Sequence, residues 1–496
     1  AGPDDLLIVV KGASEAAANE ALEQVDALLA RRPSSGDHKF RPRSLSAAVR
    51  QLPQANWVLV SVPGRFATGV AREALEHGRH VFLYSDNVSL EDELALKETA
   101  RKKALLVMGP DCGTAVINGV GLGFANRLRR GPVGLVGASG TGLQAVTSRI
   151  DSLGSGVSHA LGTGGRDLKS EIGGITARQA LDLLGRDPQT EVIVLVSKPP
   201  ASEVAAALLR QAAAARKPIV IDFIGYPPPG RRLGNLHFAA GLEDAADLAV
   251  SLLSSRAEQA PASEPASGYL RGLFSGGTLA YEALLALQAM LGPVFSNAPI
   301  TVEQKLSDPF HSREHTIVDL GGDEFTVGRL HPMMDNDLRI RRMRQEAADP
   351  QTGVILLDVV LGEGSHPDPA AELAPAISSL RGSSRAEFVI LLVGTEADPQ
   401  GLASQEERLT AAGGVVFRSL SDAAAYVSGR LARGAADTFP PVPLDALEQP
   451  VAAINVGLET FHQSLLSQGA QALQLDWRPP AGGDERLASL LQRMKK

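Results

Sequence analysis

Short apolar runs bounded by glycine or proline alternate with Ala/Leu-rich segments of helical period along the whole chain. That is the pattern of parallel strands joined by crossover helices, so the expected class is α/β. Candidate strands cover 6–10, 57–62, 80–84, 105–108, 133–136, 192–196, 218–223, 354–358, 388–393 and 453–456. Between Trp57 and Met108 helical patterns at 65–77 and 89–103 separate the strands. The second opens on Ser89 with Glu91, Asp92 and Glu93 behind it, an N-cap followed by an acidic first turn that complements the helix dipole. This stretch reads as one Rossmann-like unit.

An internal repeat divides the remainder of the chain. Asp187 opens DPQTEVIVLV and Asp349 opens DPQTGVILLD, identical at seven of ten positions. Upstream, 134–154 and 272–292 match in length and in their order of strand, glycine-rich turn and helix. Two domains of one fold related by duplication account for both matches. At about 150 residues per domain, 496 residues hold roughly three. The expected boundaries are a Rossmann-like domain at 1–130, a flavodoxin-like domain at 131–253, a Ser/Ala/Pro/Glu linker at 254–267, a second flavodoxin-like domain at 268–438, and a βαβ-sized C-terminal piece at 439–496 set off by Pro440-Pro441.

Composition narrows the partners. Hydrophobic residues make up 44% and aromatics only 4%, so Ala, Val, Leu and Ile fill the cores. The net charge is -8 and no run of five like charges occurs, which argues against a nucleic-acid or membrane-surface partner. No apolar run approaches the ~18 to 20 residues that span a bilayer. A single cysteine, Cys112, excludes an intrachain disulfide framework and a thiolate-rich metal site, and makes the cytoplasm the expected compartment.

Several short motifs are suited to an anionic small molecule. Gly137-Ala138-Ser139-Gly140-Thr141-Gly142 follows an apolar strand and opens a helix; its amides and the helix dipole favour a phosphate or carboxylate, with the hydroxyls of Ser139 and Thr141 to add. Ser275-Gly276-Gly277-Thr278 repeats the arrangement. Each turn is equally readable as one that merely packs helix on sheet. Gly162-Thr163-Gly164-Gly165-Arg166-Asp167 and Asp319-Leu320-Gly321-Gly322-Asp323 place a glycine pair and an acid after a strand, where α/β sheets gather ligands or where a plain turn suffices. Lys198, in Ser197-Lys198-Pro199-Pro200, offers a fixed positive charge at a strand end, or is simply exposed before a proline turn. His331, in His331-Pro332-Met333-Met334-Asp335, suits proton transfer or orientation, or packing beside a capping Asp. His311 and His315 have the spacing of helical metal ligands, but Pro309 and the β-branched run at 316–318 favour a loop, and no metal is expected. Cys112, in Gly109-Pro110-Asp111-Cys112-Gly113-Thr114, has no evident thiolate-stabilising neighbour.

Taken together, GPDCGT at 109–114, GLVGASGTG at 134–142, GTGGRDL at 162–168, SKPP at 197–200 and HPMMD at 331–335 resemble the FdrA family, itself similar to the α subunit of succinyl-CoA synthetase. The resemblance runs from about residue 6 to the end. It implies a CoA-binding Rossmann domain up to about 130, an α-type ligase domain at about 131–253, and a β-type ligase domain at about 268–435. It departs from the synthetases at the phosphorylated histidine of Gly-His-Ala-Gly, where Arg232-Leu233-Gly234-Asn235-Leu236-His237-Phe238 places Asn235, with His237 two residues on. It departs also in having no segment for an ATP-grasp domain, and in Lys11-Gly12-Ala13-Ser14 after the first candidate strand. FdrA proteins resemble parts of a multi-subunit oxamate carbamoyltransferase. The resemblance therefore implies a hetero-oligomer handling carbamoyl phosphate or phosphate. In that picture the turns at Ser139–Gly142 and Gly276–Thr278 face each other over the phosphate, Lys198 and Arg166 neutralise charge, and His331 orients or transfers a proton. The alternatives are an acyl-CoA synthetase that binds CoA, carries a phosphoryl group on His237 and takes nucleotide from another chain, and a non-catalytic scaffold subunit.

Overall fold

The computed structural model describes residues 8–25, 41–226, 228–254, 266–431 and 440–479. The chain divides into two compact units, Ala1–Arg41 and Pro42–Lys496. In the first, helix Glu15–Glu23 starts where the Ser14 hydroxyl accepts the Ala17 amide. Of the candidate strand at 6–10, residues 6 and 7 lie outside the described residues, and 8–10 form no strand.

The second unit holds three sheets. Strands β1 (Trp57–Ser61), β2 (His80–Leu83) and β3 (Val107–Met108) run parallel in the first. The helices between them, Gly64–Glu76 and Leu90–Lys102, follow the sequence pattern, and Ser89 accepts the Asp92 amide as its expected cap. The second sheet contains β4 (Thr114–Ile117), β5 (Val120–Gly123), β6 (Arg130–Gly137), β7 (Val157–Gly162), β8 (Val192–Ser197), β9 (Ile219–Phe223), β10 (Arg232–Leu233) and β11 (Leu236–Phe238), in the order β10-β11-β9-β8-β6-β7-β4-β5. The third contains β12 (Tyr269–Phe274), β13 (Phe295–Ser296), β14 (Thr316–Asp319), β15 (Thr352–Val360), β16 (Glu387–Val393) and β17 (Val415–Phe417), in the order β13-β14-β12-β15-β16-β17. The expected linker falls mostly on 255–265, outside the described residues.

The repeat is visible in these orders. Matching β6, β7, β8, β9 and β11 to β12, β14, β15, β16 and β17 gives the same parallel sequence in both sheets, 2-1-3-4-5 by position in the repeat, the flavodoxin-like winding. The last two strands, β18 (Ala452–Gly457) and β19 (Gln471–Gln474), do not stand apart as the sequence division implied. They join the first sheet beside β1, giving β19-β18-β1-β2-β3, all parallel. Gly457 makes this approach possible: its φ is +123°, and a methyl there would stand 2.4 Å from the Ser61 carbonyl oxygen.

The faces of the two repeated sheets are covered unequally. One face of the second sheet (Val133, Leu135, Val194, Val196, Val220) packs under helices Gly140–Ser152 and Leu242–Leu253. The other (Val136, Ile193, Leu195, Ile219, Ile221) shares a core with helices Ile175–Arg186 and Ser202–Ala214 and, beyond them, with helix Gly277–Leu291 of the third sheet. Arg210 donates to the Met290 carbonyl oxygen across that junction at 2.9 Å. The copies thus pack back to front, each through a different face.

Candidate functional site

The carboxyl edges of the first and second sheets meet at Gly109–Thr114. Asp111 donates its amide to the Ser85 carbonyl oxygen at the end of β2, 3.0 Å away. A methyl on Gly164 would stand 2.4 Å from the Pro110 carbonyl oxygen, and one on Gly140 would stand 3.3 Å from Thr114 Oγ1. Three aromatic rings close this junction: Tyr84 packs edge to face on Phe124 and Phe461 with centroids 5.4 and 4.9 Å away, and Phe124 is 56% exposed.

Above this junction sits the turn between β6 and helix Gly140–Ser152. Ser139 is the N-cap, its Oγ accepting the Gly142 amide at 3.2 Å, which leaves its hydroxyl hydrogen for a ligand. The amides of Gly140 and Thr141 cannot bond within their own helix and meet no acceptor among the described residues, which leaves them to water or a ligand. Gly142 is buried over Val196, where a methyl would stand 3.1 Å from Cγ1. Lys198 is exposed just past β8, on the same edge. Ser139, Gly140, Thr141, Gly142 and Lys198 therefore share one tip.

The Gly164–Asp167 segment has a different job. Gly164, at φ +86°, is closed off by Gly109 and Pro110, while Gly165 is more open, with Asp111 Oδ2 3.6 Å from a methyl placed there. Arg166 donates to the Val88 carbonyl oxygen at 2.8 Å and pairs with buried Glu93 at 2.8 Å. Asp167 is fully buried, pairs with Lys97 at 2.6 Å and accepts the amides of Thr176 and Ala177. Both side chains clamp the first sheet's helix Leu90–Lys102 to the second sheet, so Arg166 is drawn away from an anion at the tip.

The corresponding tip of the third sheet is acidic. The Ser275 amide and hydroxyl and the Gly276 amide all donate to Asp358, at 2.7, 2.9 and 2.9 Å. Asp358 is fully buried, with buried Arg339 3.8 Å from its Oδ1. Asp319 Oδ2 would stand 2.7 Å from a methyl on Gly277. Burial first, then the charges of Asp358 and Glu324, push the Asp319 carboxyl above its ordinary range against the opposing Gly321 amide bond. Two carboxylates thus occupy the surroundings of Gly276, Gly277 and Thr278, where an anion was expected, and they repel a phosphate. His331 is exposed, and its Nε2 lies 2.8 Å from a methyl position on Gly321. Asp335 bonds the Asp337 amide, not the His331 ring. Gly322 caps the short helix Asp323–Thr326, whose first residue Asp323 is exposed. The structure groups Gly277, Gly321 and His331 around Asp319, with Gly276 held on Asp358. It does not bring them to the Ser139 turn, because helix Gly140–Ser152 lies on the face of the second sheet turned away from helix Gly277–Leu291.

Comparison with known proteins gives this architecture its relatives. A CoA-binding domain model matches residues 129–225, and a CoA-ligase model matches 273–429. Over 450 residues the chain is 42% identical to the uncharacterized protein YahF of Escherichia coli K12, covering 86% of each chain. The chain belongs to the FdrA family. This FdrA-family chain is also 30% identical over 188 residues to subunit alpha 1 of the ADP-forming succinate–CoA ligase of Archaeoglobus fulgidus, covering 36% of itself and 62% of that subunit. With the alpha subunit of the Aquifex aeolicus ligase it shares 30% over 189 residues, 36% of itself and 60% of the subunit. It thus spans about three fifths of the length of these ligase subunits. The CoA-binding match lies on the second sheet, starting near the end of the 1–130 segment expected to hold that domain.

In the FdrA-family chain Asn235 has a structural task. Its Nδ2 lies 3.0 Å from each of the Ala212, Ala215 and Lys217 carbonyl oxygens at the end of helix Ser202–Ala214. His237 lies in β11 opposite Val220, which is itself opposite Val194, so it sits mid-sheet and short of the carboxyl edge. Burial, then Arg232, lowers its pKa. Three strand spacings, roughly 14 Å, separate β11 from β6. Cys112 is buried and its thiol is pushed up to about 12 by desolvation, so it holds no thiolate at neutral pH. His311 and His315 lie in the loop before β14. Motif reading missed the Tyr84–Phe124–Phe461 trio, Asp358 as an internal acceptor, and Asp222. For Asp222 the signal was present: an acid inside the apolar run Ile219–Phe223.

Proposed function

We propose that the chain is the acyl-transfer component of a CoA ligase of the nucleoside-diphosphate-forming kind, working on an acyl phosphate at the tip of β6 and β8. The observation that carries this reading is the Ser139–Gly142 turn, which lies inside the region that matches a CoA-binding model, beside the junction of two sheet edges, with its Gly140 and Thr141 amides meeting no acceptor among the described residues. The amides of Gly140 and Thr141 and the hydroxyls of Ser139 and Thr141 hold the phosphoryl oxygens, and Lys198 adds charge. The CoA sulfur attacks the acyl carbon, the carbon–oxygen bond to phosphate breaks, and the thiol proton leaves on the phosphate. The aromatic trio at Tyr84, Phe124 and Phe461 offers a surface for the adenine end of CoA on the first sheet. Nucleotide chemistry belongs to another chain in this reading.

Calorimetry tests it. The full chain should bind CoA and acetyl phosphate, and a Ser139→Ala, Thr141→Ala double variant should bind acetyl phosphate at least roughly tenfold more weakly, as the loss of charge-assisted hydrogen bonds predicts. Undiminished binding by the double variant, or no CoA binding by the wild type, ends the proposal.

A second reading has one observation in its favour: Asn235, in place of a phosphoryl-carrying histidine, is fixed as a bracket on three carbonyls, which suits chemistry without a phosphoenzyme. Carbamoyl phosphate is also an acyl phosphate, and its carbamoyl group would pass to the oxamate nitrogen as phosphate leaves. With partner chains added, formation of carbamoyl phosphate from oxalurate and phosphate decides for it.

A further inference from the structure

Asp222 interrupts β9 one residue before its end. It is 3% exposed, and its Oδ2 meets no hydrogen-bond partner among the described residues. Register fixes where it points. Asp222 lies directly beside Val196 of β8, and Val194, Val196 and Val220 all face helices Gly140–Ser152 and Leu242–Leu253. Alternation along β9 puts Asp222 on that same face, at the end where both helices begin. Val196 is the residue beneath Gly142, so one strand spacing, about 4.8 Å, separates Asp222 from the floor of the Ser139 turn. Burial first and Asp244 second hold its carboxyl above the ordinary range.

The second copy shows that packing does not require an acid here. The repeat aligns Val196 with Asp358, and the residue beside Asp358 on the next strand is Leu391. At this level the third sheet carries two carboxylates, Asp319 on β14 and Asp358 on β15, and the second sheet carries one, Asp222 on β9. Asp358 accepts three donors from its own turn, whereas Asp222 leaves an oxygen without a partner among the described residues. A buried polar atom without a partner is destabilising, and a group that brings a donor to Asp222 Oδ2 recovers that loss.

We propose that Asp222 is a ligand-contacting residue: it accepts a hydrogen bond from an N–H or O–H group on an anion seated at the Ser139–Gly142 turn, and so selects anions that carry such a donor on the atom next to the anionic group. The proposal rests on the reading of that turn as an acyl-phosphate site. It holds for either protonation state of Asp222, since a neutral carboxylic acid keeps an accepting carbonyl oxygen.

Carbamoyl phosphate and acetyl phosphate form a matched pair of probes, differing by an amino group against a methyl on the acyl carbon. Dissociation constants are measured on the full chain for the wild type, Asp222→Asn and Asp222→Leu. The wild type should prefer carbamoyl phosphate by roughly tenfold, the effect of one net hydrogen bond. Asp222→Leu should bind the two alike while retaining acetyl phosphate, and Asp222→Asn, which still presents a carbonyl acceptor, should keep part of the preference. Equal binding by the wild type, or a preference surviving in Asp222→Leu, overturns the role of Asp222 while the acyl-phosphate reading stands. Failure of the wild type to bind either probe overturns both.

Discussion

His80 shows how a single buried side chain sets the response of the molecule to acid. It is 7% exposed in β2, its ring packs on Trp57 at 4.9 Å between centroids, and its Nδ1 accepts the Leu106 amide at 3.1 Å. Desolvation, with Arg79 adding to it, brings its pKa down to about 4. The unfolded chain binds a proton there near pH 6.5, while the folded chain binds none until about pH 4. The contribution of neutral His80 is therefore complete above pH 6.5 and lost as pH falls toward 4, a change of about 3 kcal/mol. His159, also lowered to about 4 by burial, acts in the same direction. Urea unfolding between pH 7 and 4 should show stability falling with pH, and His80→Gln should flatten that fall; identical slopes for the two proteins would contradict the assignment. Residues of this kind are hard to read in a sequence. His80 and Asp222 both stand in runs recognisable as strands, yet whether a polar atom there is satisfied depends on a backbone amide or a ligand that the run itself does not specify.

At the scale of elements, what was legible followed the hydrophobic period. Strands β1, β2, β8, β9, β15, β16 and β18 are predominantly apolar runs, and each lies within a residue or two of its expected bounds. Strand β7 escaped because Ser158 and His159 break its run. Both are buried on account of distant partners: the Thr190 hydroxyl for Ser158, and the Asn118 amide for His159. The glycine turns were legible as turns, but not which were open. A methyl on Gly140 would stand 3.3 Å from Thr114 Oγ1, whereas one on Gly164 would stand only 2.4 Å from the Pro110 carbonyl oxygen. The docking of helix Leu90–Lys102 was likewise invisible to motif reading. Lys97, fully buried, lies 2.6 Å from Asp167 and 2.9 Å from Glu93 and donates to the Thr163 carbonyl oxygen at 3.0 Å. Lys97→Met leaves two buried carboxylates without their shared cation, and should cost about 3–5 kcal/mol. A Glu93→Gln, Lys97→Met double variant should recover part of that loss, since one charge leaves with the lysine. Equal urea midpoints for wild type and Lys97→Met would show the clamp to be inert.

The whole molecule is organised by two displacements in sequence: a duplicated sheet that packs back to front, and a first sheet assembled from both ends of the second unit. The latter carries a prediction of its own. Asn56 and Ala452 exchange hydrogen bonds across 396 positions, and β1 lies between β18 and β2 with Trp57 fully buried. Deleting the chain from 440 onward would strip β1 of its neighbour and leave three short strands to hold a five-stranded core, so this sheet should become protease-sensitive while the second and third sheets persist. The geometry also says how to repair the loss. The Asp476 amide donates to the Pro42 carbonyl oxygen at 2.9 Å, so the end of the βαβ piece already touches the start of the unit. A variant in which residues 450–477 precede residue 42 through a short Gly/Ser linker should rebuild the sheet in its native register, with a stability within about 1 kcal/mol of the unit in its natural order. Because the β18–β1 pairing then closes a loop of roughly 40 residues in place of the 396 positions between Asn56 and Ala452, refolding of this sheet should also be faster. A relocated variant as protease-sensitive as the deletion would show that β18 and β19 hold the sheet by some means other than their pairing with β1.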